Sequence, residues 1–185
     1  GWTPATRGVD DRMSDTERVG PQELLAAVEN REEALVERAL DLLAVDTSNP
    51  PGETRRLAEA VEEALNSLGV RTERVVADPA KPNVLGILPG AADRTLLYNG
   101  HLDTVPFDEP TWDYDPLGER DGERVYGRGA TDMKGALAAM LEVARAYVET
   151  ETTPPVTLAF AFVSDEEVAG AAGLPAVIDA DRLDA

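Results

Sequence analysis

Residues 156–167 read VTLAFAFVSDEE, and this stretch decides the fold. Its first eight residues are almost all apolar, which predicts a β-strand buried on both faces of a sheet. The chain then turns polar at Ser164, and three acids follow, Asp165, Glu166 and Glu167. Adjacent carboxylates at the end of a buried strand repel one another, so the cluster is reasonable if a cation neutralises it or one acid stays protonated. A solvated acidic turn is the alternative.

Two other places in the chain deliver polar residues after a short apolar strand. Residues 96–100 lead into His101 and Asp103, and residues 125–129, which contain two glycines, lead towards Asp132. In open α/β sheets, catalytic residues gather at the carboxyl ends of the strands. We therefore expect these side chains to meet the acids after residue 163 at one edge of a sheet.

His101 and Asp103 are spaced as a metal-binding histidine and its supporting acid would be. In extended backbone, residues two apart point to the same side, so the Asp103 carboxylate can lie near the imidazole. An acid behind a histidine fixes its tautomer and raises its basicity, as a metal ligand requires. His101 is the sole histidine of the chain. The alternative is a histidine that caps a turn, with Asp103 as an ordinary turn acid.

Asp132 stands at the start of a predicted helix, after the glycines at 127 and 129. A helix N-cap is the alternative interpretation, because Asp is a favoured cap residue. The spacing of the glycines matches neither type of phosphate-binding loop, which argues against nucleotide binding. The pair Glu166 and Glu167 can divide the work of hydrolysis, since one carboxylate can hold a metal while the other takes a proton from the metal-bound water. Arg128 and Lys134 are surface residues or contacts for a substrate carboxylate.

The composition limits the classes of function. The 185 residues include 17 Lys+Arg and 36 Asp+Glu, a formal net charge of -19, so the surface would repel nucleic acid and anionic membranes. The acids are spread along the whole chain, which favours adaptation to a salt-rich cytoplasm over binding of cations or a basic partner. There is no cysteine, so a metal must be held by His, Asp, Glu, carbonyls or water. No apolar run approaches the roughly 18 residues of a membrane span. We expect a cytoplasmic protein.

The periodicity predicts strands alternating with helices after an N-terminal tail at residues 1–20. This alternation indicates an α/β fold, a three-layer sandwich with a largely parallel central sheet. A long loop with a small hairpin is expected at residues 101–124, and a short helix after residue 170. Helices are predicted over 21–45, 54–68 and 133–148, and strands over 70–76, 83–88, 94–98 and 156–163.

Taken together, these motifs resemble a known family. The chain is similar to zinc metallohydrolases such as acetylornithine deacetylase, succinyl-diaminopimelate desuccinylase, aminoacylase and carboxypeptidase G. The similarity covers residues 23–185. The stretches that carry it are TSNPPGE at 47–53, NGHLDTVP at 99–106, Trp112 with DPL at 115–117, YGRGATDMKG at 126–135 and DEEVAGAAG at 165–173.

The resemblance implies a role for each candidate residue. His101 would bind one zinc ion, Glu167 would bind a second, and Asp132 would bridge the two. Glu166 would be the general base and then the acid that protonates the leaving amine, while Asp103 would orient His101. The peptide bond after Asp132 is expected to be cis. Co²⁺ or Mn²⁺ would suit the same ligands as Zn²⁺.

The resemblance also implies a substrate and a missing part. The expected activity is hydrolysis of amide bonds in N-acyl amino acids or small peptides, without nucleic-acid or membrane partners, and a homodimer is compatible with the full-length enzyme. Members of the family are about twice as long, so residues 21–185 resemble the N-terminal portion of a catalytic domain, incomplete at the C-terminus. The remaining metal ligands would lie beyond Ala185. The alternatives are an inactive remnant that only binds a partner, and one half of a split enzyme.

Overall fold

In this computed structural model the described residues are 21–181. The tail expected at residues 1–20 lies outside them. The helices are α1 (Pro21–Glu29), α2 (Glu32–Leu43), α3 (Arg55–Ser67), α4 (Lys134–Glu149) and α5 (Leu174–Asp179). The strands are β1 (Arg71–Val75), β2 (Asn83–Leu88), β3 (Ala92–His101), β4 (Glu119–Asp121), β5 (Arg124–Tyr126) and β6 (Val156–Val163). Within this range no helix combines the length and apolarity that a membrane crossing requires.

The α/β class is confirmed, but the central sheet is mixed rather than largely parallel. Its order is β1-β2-β6-β3, and of its three pairings only β3 with β6 is parallel. Parallel neighbours need a crossover of a dozen or more residues, usually a helix. Only the connection from β3 to β6 contains one, α4, whereas short turns join β1 to β2 and β2 to β3. Because three of the four strands follow one another without a helix between them, the sheet has only one parallel pair.

The sheet is packed on both faces, and β6 is its centre. Leu158, Phe160 and Phe162 enter a large core formed with α2, α3 and α4, and Ala161 and Val163 enter a smaller core with α5. The strand is thus buried on both faces as its apolar run predicts, with its six last residues fully enclosed. Each such large apolar side chain stabilises the fold by about 1.5–3 kcal/mol. The acid segment at 165–167 therefore begins just after the end of a buried strand.

The helix predicted over residues 21–45 is two helices, with a break at Asn30 and Arg31. Arg31 turns its side chain towards Glu142 on α4, where its Nε donates a hydrogen bond of 3.2 Å. The small hairpin is present as β4 and β5, a two-stranded sheet of its own. Apolar periodicity does not register such a break, because α1 and α2 both bear apolar residues at helical spacing.

Candidate metal centre

Parallel pairing of β3 with β6 brings two of the predicted polar segments to one edge of the sheet. His101 is the last residue of β3 and pairs with Val163, the last residue of β6. Glu166 and Glu167 follow three and four residues later. Asp132 lies just before α4, and the peptide bond after it is cis, as expected. The acids and the histidine therefore converge as the strand ends predict.

The imidazole of His101 is buried and its two nitrogens have different partners. Nδ1 lies 2.9 Å from the backbone carbonyl oxygen of Asp103, and a carbonyl can only accept, so Nδ1 carries the proton. Nε2 lies 3.0 Å from Oδ1 of Asp132 and 3.8 Å from Oε2 of Glu166. In the neutral ring this leaves the lone pair of Nε2 directed at the acids, which is the form that binds a metal.

The charges around His101 favour its protonated form when no metal is bound. Burial by itself lowers the pKa of the imidazole, but the bond to the Asp103 carbonyl and the carboxylates of Asp132 and Glu166 outweigh it, so the pKa is raised. The pKa of Glu167 is also raised. Burial raises the pKa of Glu167, the charge on His101 lowers it, and the charges of Asp132 and Asp103 raise it further, with a net rise. The carboxylates at this edge of the sheet therefore carry more negative charge than His101 alone can balance.

Three of the predicted ligands form one cluster. One ligand atom from each of His101, Asp132 and Glu167 lies within 4.8 Å of the others, and no other group of three or more such side chains occurs in residues 21–181. Glu167 is half-buried, while the Asp132 side chain is 76% exposed and therefore free to adjust. Glu166 stands beside the cluster, 57% exposed.

Asp103 occupies a different position from the one its spacing suggests. Its carboxylate is fully buried, and Oδ1 is 3.8 Å from Nδ1 of His101, too far for a hydrogen bond. The backbone carbonyl of Asp103 holds the imidazole instead. The carboxylate accepts hydrogen bonds from the backbone N–H groups of Glu166, at 3.1 Å, and of Glu167, at 3.0 Å.

Comparison with known proteins places this geometry in a family. Residues 97–185 match the description Peptidase family M20/M25/M40. Succinyl-diaminopimelate desuccinylase of Methylocella silvestris is 36% identical over 124 residues, which are 64% of this chain and 30% of that protein. Acetylornithine deacetylase of Pasteurella multocida is 39% identical over 108 residues, 56% of this chain and 28% of that protein. The second half of the chain is thus similar in sequence to the M20 family.

Solved structures agree with this assignment. The M20 family metallo-carboxypeptidase Sso-CP2 of Sulfolobus solfataricus has a TM-score of 0.65 at 26% identity, covering 80% of this chain and 34% of that one. Human carnosine dipeptidase 1 shares the fold, with a TM-score of 0.73 at 23% identity, covering 87% and 38%. The chain spans about a third of the length of the curated relatives it matches, 30% and 28% in the two cases above.

Lys134 differs from its prediction as a surface residue or a contact for a substrate carboxylate. It is 1% exposed rather than on the surface, and its Nζ donates a 2.6 Å hydrogen bond to the carbonyl oxygen of Val45. Burial lowers its pKa to about 8, partly offset by the charge of Asp46. The bond ties the start of α4, and with it the neighbouring Asp132, to the end of α2. Arg128 is half-buried, and its guanidinium lies 5.3 Å from the ring centre of Trp112.

Asn49 and Lys81, to which the sequence assigned no role, contact two of the acids. Asn49 is 3% exposed, and its side-chain amide donates to Oδ2 of Asp103 at 2.8 Å and to Oδ1 of Asp165 at 3.1 Å. Asp165 also receives a bond from Lys81. Burial raises the pKa of Asp165, but the bonds from Lys81 and Asn49 outweigh it and lower the pKa. The only signal in the sequence that could have pointed to Asn49 is its position before the turn Pro50-Pro51-Gly52.

Proposed function

We propose that this chain forms the metal-binding part of a hydrolase that cleaves amide bonds in N-acyl amino acids or small peptides. The observation that carries the proposal is the convergence of His101, Asp132 and Glu167 within 4.8 Å, with Glu166 beside them. The M20 relatives support it at the level of amide hydrolysis, since their names describe a desuccinylase, a deacetylase and a dipeptidase.

The residues present fit a divalent metal ion. One imidazole nitrogen with two carboxylate oxygens is a donor set that suits Zn²⁺, Co²⁺ and Mn²⁺. In a tetrahedral site with bonds of about 2.05 Å, ligand atoms lie roughly 3.3 Å apart. The separation of 3.0 Å between Nε2 of His101 and Oδ1 of Asp132 is close to this value, and the exposed Asp132 side chain can open the cluster slightly. A bound cation would also displace the proton that the raised pKa of His101 favours.

The number of ions is part of the proposal. By the family resemblance, His101 would hold one zinc ion, Glu167 the other, and Asp132 would bridge them. These three side chains, with ligand atoms gathered within 4.8 Å, would be the ligands that this chain contributes to such a pair. When bound, the metal would lower the pKa of its water ligand and polarise the scissile carbonyl.

The side chains of the cluster would carry the proton transfers and the positioning. His101 keeps its Nδ1 proton on the Asp103 carbonyl, so Nε2 stays available as a ligand. Oε2 of Glu166 lies 3.8 Å from Nε2 of His101, and its 57% exposed carboxylate can reach an attacking water. It would take a proton from that water and deliver it to the leaving amine.

The test measures amine release from N-acetyl and N-succinyl amino acids and from dipeptides by the zinc-loaded protein. We expect Glu166→Gln to lose turnover by about 10²–10⁴-fold, the usual contribution of a general base, with zinc binding retained. The matched control is Glu123→Gln, an exposed acid in the β4–β5 hairpin, which should keep full turnover. Turnover that is equal in Glu166→Gln and the wild type would refute the role of Glu166. Zinc binding without hydrolysis of any of these compounds would favour the non-catalytic alternative.

A further inference from the structure

We propose that Asn49 is a positioning residue for Glu166 and Glu167, acting through the two buried carboxylates that its side-chain amide joins. The inference rests on the proposed function, which gives Glu166 and Glu167 their roles as base and ligand. It gives a role to Asn49 in the TSNPPGE segment before α3, which supplies no residue to the metal cluster.

The backbone of the Glu166–Glu167 segment is fixed by Asp103. The Asp103 carboxylate accepts one hydrogen bond from each of the two backbone N–H groups, at 3.1 and 3.0 Å. A third bond, from the N–H of Val105 to Oε1 of Glu167 at 3.2 Å, ties the same two loops together. Where the Asp103 carboxylate sits therefore determines where the Glu166 and Glu167 side chains begin.

Asn49 in turn fixes the Asp103 carboxylate. Two carboxylates, those of Asp103 and Asp165, are buried side by side, and without a donor between them they would repel. The Asn49 amide has two N–H groups, and it gives one to each carboxylate. Its own backbone N–H donates to the carbonyl of Thr104 at 2.8 Å, which holds the residue against the loop that follows β3. Removing the amide leaves both acids short of a donor in a buried site, which is costly.

Asp165 anchors the other end of the network. It contacts Lys81, which is partly buried, and its Oδ2 lies 3.4 Å from the backbone N–H of Ala172. A Cβ at position 170 would lie 1.7 Å from Oδ2 of Asp165, so only glycine leaves room for this carboxylate. A Cβ at Gly52 would likewise approach Cγ of Asn49 to 2.8 Å. Both the Pro-Pro-Gly turn and the glycine after the acid cluster thus make space for the network.

The connection runs from Lys81 through Asp165, Asn49 and Asp103 to the backbone of the two glutamates. Each hydrogen bond in this series fixes the position of the next side chain. The last two bonds hold the backbone of Glu166, the proposed base, and of Glu167, the proposed ligand. Residues that position metal ligands without touching the metal typically change metal affinity by about 10–100-fold when they are removed. A role in packing alone would instead lower global stability without singling out the Glu166–Glu167 segment.

The first experiment measures amide hydrogen exchange by NMR on the metal-free 185-residue chain. In Asn49→Ala we expect the amides of Glu166 and Glu167 to exchange at least about tenfold faster, relative to the amides of Ala161 and Val163 in β6. Because no metal is present, this result is independent of the proposed function. Unchanged relative exchange at Glu166 and Glu167 would overturn the proposal.

Two further variants keep the test decisive. Lys81→Met breaks the network at its partly exposed end, where folding is least at risk, and should accelerate the same two amides by a smaller factor. Glu142→Gln neutralises a buried carboxylate on α4, away from the metal cluster, and serves as the matched control for lost stability. In Glu142→Gln the exchange ratio of the Glu166 and Glu167 amides to those of β6 should not rise above the wild-type value, because lost global stability accelerates the β6 amides at least as much. A ratio that rises as much as in Asn49→Ala would show that the Glu166 and Glu167 amides respond to a distant substitution as well, and would reject the positioning role.

The second experiment tests whether the positioning of Glu166 and Glu167 by Asn49 affects metal binding. Titration of each variant with Co²⁺, followed by visible absorption, should show affinity about tenfold weaker in Asn49→Ala with an altered spectrum, and no change in Glu142→Gln. Wild-type affinity and spectrum in Asn49→Ala would overturn the proposal. Failure of the wild type to bind Co²⁺ would count against the proposed function alone, since the exchange experiment still decides the role of Asn49.

Discussion

Two clusters of charged side chains, both built on buried carboxylates, balance their charge in opposite ways. On α4, Glu142 is 5% exposed and faces three arginines, with Nε of Arg31, Arg38 and Arg145 at 3.2, 3.5 and 3.3 Å. At the end of β3 and β6, five carboxylates gather around one imidazole and one lysine, those of Asp103, Asp132, Asp165, Glu166 and Glu167.

The difference in compensating charge distinguishes the Glu142 cluster, which is a structural ion cluster, from the cluster around His101, which is suited to binding a cation. In a chain with 36 acids and only 17 basic residues, three arginines are placed around a single buried glutamate. The acids near His101 receive much less compensation from the described side chains, and an excess of carboxylates at a strand end becomes favourable when a divalent ion joins them. Neutralising an acid should therefore have opposite effects on stability in the two places.

The larger effect is expected at Glu142. Glu142→Gln leaves three arginines around a neutral amide, and removing one partner of a fully buried ion pair costs about 3–5 kcal/mol. Because the arginine side chains are 17–33% exposed, we expect a smaller loss of unfolding free energy, about 2 kcal/mol. Urea denaturation followed by circular dichroism measures it. A loss below about 0.5 kcal/mol, the scatter of ordinary surface substitutions, would show that the arginines contribute nothing specific.

A smaller effect of opposite sign is expected at Glu167. Burial, opposed by His101 but assisted by Asp132 and Asp103, raises its pKa, so the folded state holds the charged form less well than the unfolded chain does. The stability contributed by Glu167 therefore falls as the pH rises through this raised pKa. Glu167→Gln should stabilise the metal-free protein at pH 7 by about 0.5 kcal/mol, a small gain because the side chain is only half-buried.

The same denaturation in the presence of EDTA measures the Glu167→Gln effect. The amide oxygen of Gln can still accept the bond from the N–H of Val105. The unfolding free energies of Glu167→Gln and Glu142→Gln can thus be compared under the same conditions. A loss of stability in Glu167→Gln would contradict the idea that the acids near His101 are under-compensated.

Much of the fold could be predicted from local patterns. β6 was predicted with its observed bounds, because a continuous apolar run between turn residues gives a clear signal. β3 extends beyond its predicted end to His101, since pairing with β6 continues through Asn99 and Gly100, which lack strand propensity. The antiparallel placement of β2 beside β6 could not be predicted, because pairing between distant strands depends on tertiary contacts that no local period records.

The sequence predicts which residues form the candidate site better than it predicts the hydrogen bonds between them. The meeting of His101, Asp132 and Glu167 follows from strand order and the rule that polar residues gather at strand ends. The bonds of Asp103 to backbone N–H groups could not be inferred, because residue spacing specifies side-chain direction but not which distant loop supplies the donor. Asn49 was missed for the same reason, since its partners lie 54 and 116 residues away.

The most direct test of the central claim, that the acids around His101 form a divalent-metal site, is a calorimetric titration of the EDTA-stripped 185-residue chain with Zn²⁺. We expect saturable binding in the wild type and in Glu142→Gln, and affinity lower by at least about 100-fold in His101→Ala and in Asp132→Asn, because each removes a ligand. A wild-type chain without saturable binding, or one whose affinity survives both substitutions, would contradict the account.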